Sequence, residues 1–173
     1  MNFEQVTIVG PGLLGASLAM ALRARKVCGR IVIWARSSER IEQCSGKEWC
    51  DQAEEDLARA VSGSSVVVVC TSVASISSLV SEIMRHTSED MLVTDVGSVK
   101  EPICASAVES GRGASGAFVG SHPMAGSEKS GMVHAKADLF EGKPCIITPQ
   151  DDTPEVATQA VRAFWEKLGM KVY

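Results

Sequence analysis

A polar, glycine-rich run, Gly120–Gly131, carries the side chains best suited to chemistry in this sequence. It places the imidazole of His122, the carboxylate of Glu128 and the amine of Lys129 between two apolar segments. An imidazole has an ordinary pKa of about 6.5, so it accepts or holds a proton around neutrality. Oxidation of a carbinol by hydride transfer needs an acceptor for the hydroxyl proton. We therefore predict a catalytic role for His122; a histidine bonded to backbone for structure alone is the alternative.

A second glycine-rich motif, G-x-G-x-x-G, directly follows the apolar run Val6–Val9 and precedes a segment rich in Leu and Ala. In this context the first glycine permits a tight turn, the second lets backbone approach a pyrophosphate, and the third allows close packing of helix on strand. A helix that starts at the turn offers unpaired N–H groups to the phosphates. The alternative is a turn that merely needs positive φ. The predicted cofactor-binding residues of the turn are Gly10, Gly12, Leu13, Leu14 and Gly15.

The end of the second apolar run, Ile31–Trp34, bears on the choice of dinucleotide. Enzymes that use NAD usually place Asp or Glu there to bind the ribose 2′-hydroxyl, whereas this sequence continues with Ala35, Arg36, Ser37 and Ser38. A guanidinium and hydroxyls suit a 2′-phosphate, which a carboxylate would repel. We predict NADP, with NAD as the alternative, and Arg36, Ser37 and Ser38 as its ligands. The competing interpretation is that these residues only cap the next helix.

Strand-like runs alternate with helical patterns along the chain, which predicts an α/β domain with a doubly wound, mostly parallel sheet, a Rossmann-like fold. We predict one dinucleotide-binding domain over residues 1–173. The predicted strands are Val6–Val9, Ile31–Trp34, Val66–Thr71, Met91–Asp95, Ala117–Gly120 and Cys145–Thr148, with one more possible at Met170–Tyr173. Ligands bind beyond the carboxyl ends of such strands. We therefore add Thr71 and Ser72 to the predicted cofactor site and expect Ser98 and His122 at the same edge.

The composition excludes several classes of function. A formal net charge of −4 argues against a nucleic-acid or anionic-membrane surface. No apolar stretch approaches the roughly 20 residues that span a bilayer, and the first residues lack the plan of a signal peptide. The six cysteines are scattered, without a C-x-x-C pair or a histidine spaced for zinc. We therefore expect a cytoplasmic protein with free thiols and no metal site, nucleic-acid partner or membrane partner.

Several motifs together resemble the prephenate/arogenate dehydrogenase family of tyrosine biosynthesis. These are GSHPMAGSEKSG with Ala137–Phe140 and Thr148-Pro149, the segment Thr94–Lys100, and the N-terminal glycine turn. The resemblance implies an NAD(P)-dependent oxidative decarboxylation of prephenate or arogenate. It also implies that His122 hydrogen-bonds the substrate 4-hydroxyl, that Ser98 helps to order this histidine and the nicotinamide, and that Glu128 lies near the substrate entrance.

The resemblance also implies parts that this sequence does not match. Family members continue into a helical domain that mediates homodimerisation and supplies an arginine for the substrate carboxylate. We therefore expect residues 1–173 to bind cofactor and to turn over substrate poorly or not at all. The family's strand-end proline is replaced here by Ser72. Two other interpretations remain open, a reductase of the β-hydroxyacid dehydrogenase type and a non-catalytic dinucleotide-binding module.

Overall fold

Four consecutive valines form the centre of the main sheet, because a strand covered on both faces has no polar side to present. The computed structural model describes residues 3–112, 114–126 and 128–173. Its main sheet has six strands in the order β3-β2-β1-β4-β5-β6, and every neighbouring pair is parallel. The strands are β1 Phe3–Val9, β2 Cys28–Trp34, β3 Gln52–Glu54, β4 Val66–Val69, β5 Leu92–Asp95 and β6 Ala117–Phe118.

Helices cover both faces of this sheet, which confirms the predicted doubly wound α/β fold. One face packs against α1 and α6 through residues such as Ile8, Leu18 and Phe164, and the other packs against α3, α4 and α5 through Val9 and Ile76. The helices are α1 Leu13–Ala24, α2 Ser38–Cys44, α3 Leu57–Val61, α4 Val73–Met84, α5 Glu101–Gly111 and α6 Glu155–Lys167. Among the described residues no helix is long and apolar enough to cross a membrane.

A second, three-stranded sheet follows β6 and differs from the prediction. It consists of β7 Gly120–Pro123, β8 Pro144–Thr148 and β9 Lys171–Val172; β7 and β8 are antiparallel, and β8 and β9 are parallel. The single predicted strand Ala117–Gly120 was wrong, because β6 ends at Phe118 and a new strand starts at Gly120. The expectation that His122 follows a strand was wrong too, since it lies within β7.

The backbone passes close to its neighbours where the chain changes sheets, at Gly120. A Cβ at this position would lie 3.0 Å from Sγ of Cys104 and 3.3 Å from Cε of Lys100. A larger residue would therefore press on the side chains of the loop and helix that follow β5. Strand β3 was also missed, because Gln52–Glu54 has three half-buried residues and no apolar alternation. The remaining predicted strands differ from the observed ones only at their ends.

Candidate functional site

The turn between β1 and α1 is built by two glycines with no space for a side chain. Gly10 has φ +103°, and a Cβ there would lie 2.7 Å from Cγ2 of Thr71. A Cβ on Gly15 would lie only 2.1 Å from the carbonyl oxygen of Gly10. These contacts hold the start of α1 close to β1 and to the end of β4, which is the arrangement predicted from the motif.

The same turn leaves open the groups that a phosphate would need. Gly12 is the N-cap of α1, no side chain caps the helix, and a Cβ on Gly12 would meet nothing within 4 Å. The first N–H groups of a helix have no intrahelical acceptor, so those of half-buried Leu13 and Leu14 can face an anion. The hydroxyl of Thr71 is buried beside the turn without a hydrogen-bond partner among the described residues. This hydroxyl is free to hydrogen-bond a ligand beside the turn, and the residues present therefore fit a dinucleotide.

In the segment after β2, some residues already make hydrogen bonds within the protein and others do not. Ser37 is the N-cap of α2, where its Oγ accepts from the N–H of Arg40 at 3.4 Å. Arg36 and Ser38 are exposed, and Arg36 makes no hydrogen bond or ion pair with any described residue. Glu54, at the end of neighbouring β3, directs its carboxylate to the N–H groups of its own next two residues. Capping therefore explains Ser37, and it leaves the guanidinium of Arg36 available.

Ser72 replaces the proline that the family pattern would place after β4. Its φ is −63°, which is close to the value that a proline ring imposes. Its hydroxyl lies 3.0 Å from that of Ser75 in the first turn of α4. The backbone at this position therefore has a proline-compatible conformation without the proline.

A buried ion pair lies at the end of β5. Asp95 is fully buried, and both of its carboxylate oxygens lie 2.6 Å from Nζ of Lys100. The carboxylate also accepts from the N–H of Gly97 at 2.8 Å and from the N–H of Ser121 at 3.2 Å. Such extra hydrogen bonds are what make a buried charge tolerable. The pair therefore joins the end of β5 to the residue that precedes His122.

Ser121 connects this pair to the helix on the other face. Its fully buried hydroxyl accepts from Nε1 of Trp165 in α6 at 3.0 Å and lies 2.8 Å from Oγ1 of Thr94 in β5. Trp165 is itself completely buried. Three elements, β5, β7 and α6, thus meet at one hydroxyl, which fixes the backbone of β7 immediately before the histidine.

His122 lies half-buried on β7, opposite the exposed Ile146 of β8. Burial lowers its pKa from the usual value, the nearby Lys100 ammonium lowers that pKa further, and Asp95 opposes the change. A lowered pKa means that the imidazole is neutral around neutrality and has a nitrogen able to accept a proton. The protonation state therefore suits the role predicted for it.

The other predicted catalytic residues lie in exposed segments. Ser98 is exposed in the loop between Asp95 and Lys100, and Glu128 is exposed beyond β7. No hydrogen bond between described residues joins either of them to His122; Ser127 lies outside the described residues. The predicted cofactor residues and Ser98 follow the carboxyl ends of strands of the main sheet, whereas His122 lies on β7 of the second sheet and Glu128 follows that strand. Strand β7 is joined to the carboxyl end of β5 through Ser121 and Asp95.

Sequence reasoning missed the network that supports the histidine. Asp95 and Lys100 were recognised only as the ends of a polar loop, and Ser121 and Trp165 were given no joint role. A carboxylate that closes a buried strand, with a lysine five residues later, was the available signal. The partnership with Ser121 could not be read from the sequence because it joins residues 26 apart.

Other features of the structure lie away from this edge. A groove of about 790 Å³ opens at the opposite edge, where its lining includes Ser64, Ser65, Asp90 and the exposed Val156. The residues that the structure describes contain no cluster of three or more His, Cys, Asp or Glu able to hold a metal ion. The six cysteines are free, and burial raises the pKa of three of them, Cys28, Cys44 and Cys50, to about 11.

The sheet order, the glycine turn and the polar carboxyl edge define the class of protein as a Rossmann-like nucleotide-binding domain. Comparison with known families then gives the particular family. Residues 18–173 match the family described as prephenate dehydrogenase, nucleotide-binding domain. The chain therefore belongs to the prephenate dehydrogenase family. The matched range starts within α1, after the glycine turn.

Individual relatives agree with this assignment along the chain. A cyclohexadienyl dehydrogenase from Zymomonas mobilis is 26% identical over 98% of this chain and 57% of its own length. The solved structure of prephenate dehydrogenase from A. aeolicus, in complex with hydroxyphenyl propionate and NAD+, is 30% identical with a TM-score of 0.91. It is matched over 100% of this chain and 60% of that chain. Synechocystis arogenate dehydrogenase is 31% identical with a TM-score of 0.87, over 98% of this chain and 58% of that one. The chain thus spans somewhat more than half the length of these relatives.

Proposed function

We propose that this chain binds a nicotinamide dinucleotide and supplies the catalytic histidine for the oxidative decarboxylation of prephenate or arogenate. The observation that carries the proposal is His122. This imidazole has a lowered pKa, and buried hydrogen bonds hold the residue before it at the edge where the uncapped α1 begins. The family assignment supports the reaction class. It favours this reaction over that of a reductase of the β-hydroxyacid dehydrogenase type.

The residues of the chain have separate tasks in this reaction. The N–H groups of Leu13, Leu14 and Gly15 would hold the pyrophosphate, and Thr71 and Ser72 would border the cofactor at the end of β4. A bound nicotinamide would supply the acceptor for the hydride that must leave C4 of the cyclohexadienol. Neutral His122 accepts the hydroxyl proton from the same carbon, so that the C–O bond gains carbonyl character. Loss of CO₂ from the ring carbon opposite C4 then leaves its bonding electrons in the ring as a phenolate, and protonation of the oxygen gives the 4-hydroxyphenyl product.

The supporting residues would act around that proton transfer. Ser98, exposed in the loop after β5, would contact the nicotinamide and orient His122 once ligands are present. Glu128 would border the substrate entrance. Catalytic hydrogen bonds often form only in the complex, so the exposure of both side chains is compatible with these roles.

The preferred cofactor would be NADP, because the available cation at the end of β2 is Arg36 and no carboxylate stands at Ala35. The A. aeolicus relative was solved with NAD+, so the preference must be measured on this chain. Calorimetric titration should show NADP+ binding more tightly than NAD+. Arg36→Ala should weaken NADP+ binding by roughly tenfold, the value of one charge-assisted contact, and leave NAD+ binding nearly unchanged.

Arg30→Ala is the matched control for that titration. Arg30 is an exposed arginine in β2 itself, near the end of the strand opposite to Arg36, so its removal changes the net charge equally without touching the carboxyl edge. If the two variants lose equal affinity for NADP+, the effect of Arg36→Ala comes from net charge and not from a contact with the cofactor. Equal or tighter binding of NAD+ by the unsubstituted chain would overturn the NADP preference and leave the fold assignment intact.

Residues 1–173 would form a single cofactor-binding domain of a cytoplasmic enzyme that dimerises through its other, helical domain. On this proposal the chain alone binds cofactor and turns over prephenate or arogenate slowly or not at all. The rate of turnover is measured directly from the absorbance of the reduced cofactor that forms during incubation with each substrate. Turnover at the rate of an intact family enzyme would contradict the proposed division of labour. Cofactor binding without turnover even in a longer gene product would favour a non-catalytic dinucleotide-binding module.

A further inference from the structure

Lys100 lies between the end of β5 and the start of β7 with its ammonium fully engaged. Its Nζ lies 2.6 Å from each carboxylate oxygen of Asp95, 2.7 Å from the carbonyl oxygen of Ser121 and 3.2 Å from that of Gly97. The side chain is only 16% exposed. An ammonium has three protons, and these acceptors use all of them. Lys100 therefore has no proton left for a substrate or a cofactor phosphate.

The two contacts with Ser121 act on the residue immediately before His122. Lys100 donates to the carbonyl of Ser121, and Asp95, held by Lys100, accepts from its N–H. Both backbone polar groups of Ser121 are thus fixed by one ion pair. Gly120 lies beside the lysine, since a Cβ there would be 3.3 Å from Cε of Lys100.

We propose that Lys100 is a positioning residue for His122: with Asp95 it clamps the backbone of Ser121, sets where β7 leaves the end of β5, and keeps a fixed positive charge beside the imidazole. The proposal deepens the proposed function and rests on it for its catalytic meaning. The contacts of Lys100 with Asp95 and Ser121 do not depend on that function.

The electrostatics around His122 agree with this arrangement. The charged groups that influence the imidazole are Lys100, which lowers its pKa, and Asp95, which raises it. On β8, the Cys145 thiol accepts from the backbone N–H of His122, and burial raises the pKa of that thiol to about 12, so it is uncharged. The charge beside the histidine is therefore set by the Lys100–Asp95 pair.

The test is an NMR titration of the three histidine side chains in the 173-residue chain. Lys100→Met should raise the pKa of His122, because the cation is removed and the Asp95 carboxylate remains. Asp95→Asn should lower it, because the cation then stands alone. Lys47→Met, which removes an exposed lysine of the segment between α2 and β3, should leave it unchanged, and His86 and His134 serve as internal references.

Opposite shifts in the two variants would support the proposal, since a merely structural loosening would reduce the burial of His122 and raise its pKa in both. Shifts of one sign, or none, would overturn it. If Lys100→Met does not fold, Asp95→Asn decides alone: a lowered pKa supports the proposal, and an unchanged or raised one overturns it.

NADP+ binding measured on the same samples separates this proposal from the proposed function. If the unsubstituted chain binds NADP+ and the opposite shifts are missing, only the role of Lys100 is overturned. If the opposite shifts appear and the chain binds neither dinucleotide, the clamp stands and the proposed function is overturned.

Discussion

The glycine turn and the histidine strand are held at the same sheet edge by different kinds of interaction. In the turn, steric exclusion decides the geometry: a side chain on Gly15 would meet the backbone of Gly10, and one on Gly10 would meet Thr71 at the end of β4. At β7, a buried ion pair and a tryptophan from distant parts of the chain fix Ser121. The cofactor region is thus shaped by steric exclusion around its glycines, whereas the catalytic region depends on buried polar contacts between distant parts of the chain.

Removing one partner of the ion pair should have the largest effect on stability. Lys100→Met leaves the carboxylate of Asp95 buried without its cation, which should cost roughly 3–5 kcal/mol of unfolding free energy. Urea unfolding followed by circular dichroism measures this. The double variant Lys100→Met/Asp95→Asn has no uncompensated charge and should recover part of the loss. A double variant whose loss equals the sum of the losses of Lys100→Met and Asp95→Asn would show that the pair is not energetically coupled.

A side chain at the turn should have the next largest effect. In Gly15→Ala the new Cβ would meet the carbonyl oxygen of Gly10 at 2.1 Å, so the start of α1 must move, at a cost of roughly 1–3 kcal/mol. Gly12→Ala is the matched control, because its Cβ meets nothing within 4 Å. It should fold normally and weaken NADP+ binding, since the methyl group occupies the space meant for the pyrophosphate. Thermal melts and calorimetry of both variants test the contrast.

The smallest expected effect is a pH dependence of stability that comes from His122. Its pKa in the folded chain lies below the ordinary 6.5 of the unfolded chain, so the unfolded chain binds more protons in this range. The contribution to stability is therefore complete above about pH 6.5 and is lost as the pH falls through the lowered folded-state value. His122→Gln should flatten the dependence of the unfolding free energy on pH, measured by urea titrations between about pH 5 and 7. An unchanged slope would mean that other groups cause it.

The two regions also differ in how far the sequence predicts them. Alternating apolar runs and the spacing of Gly10, Gly12 and Gly15 predict the parallel sheet and its first turn, because the determinants are adjacent in sequence. The second sheet was not foreseen, because the antiparallel pairing of His122 with Ile146 joins segments 24 residues apart. The clamp on Ser121 was hidden for the same reason. Local motifs thus located the site, and only the tertiary structure showed what holds its histidine.

Amide chemical-shift mapping on adding NADP+ to the 173-residue chain tests the central claim most directly. If the carboxyl edge binds the dinucleotide, the N–H signals of Leu13, Leu14, Gly15 and Thr71 should move, and those of Ser64 and Ser65 in the groove at the opposite edge should not. Shifts confined to that opposite groove, or no shifts at saturating NADP+ or NAD+, would contradict the assignment of this edge as the cofactor site.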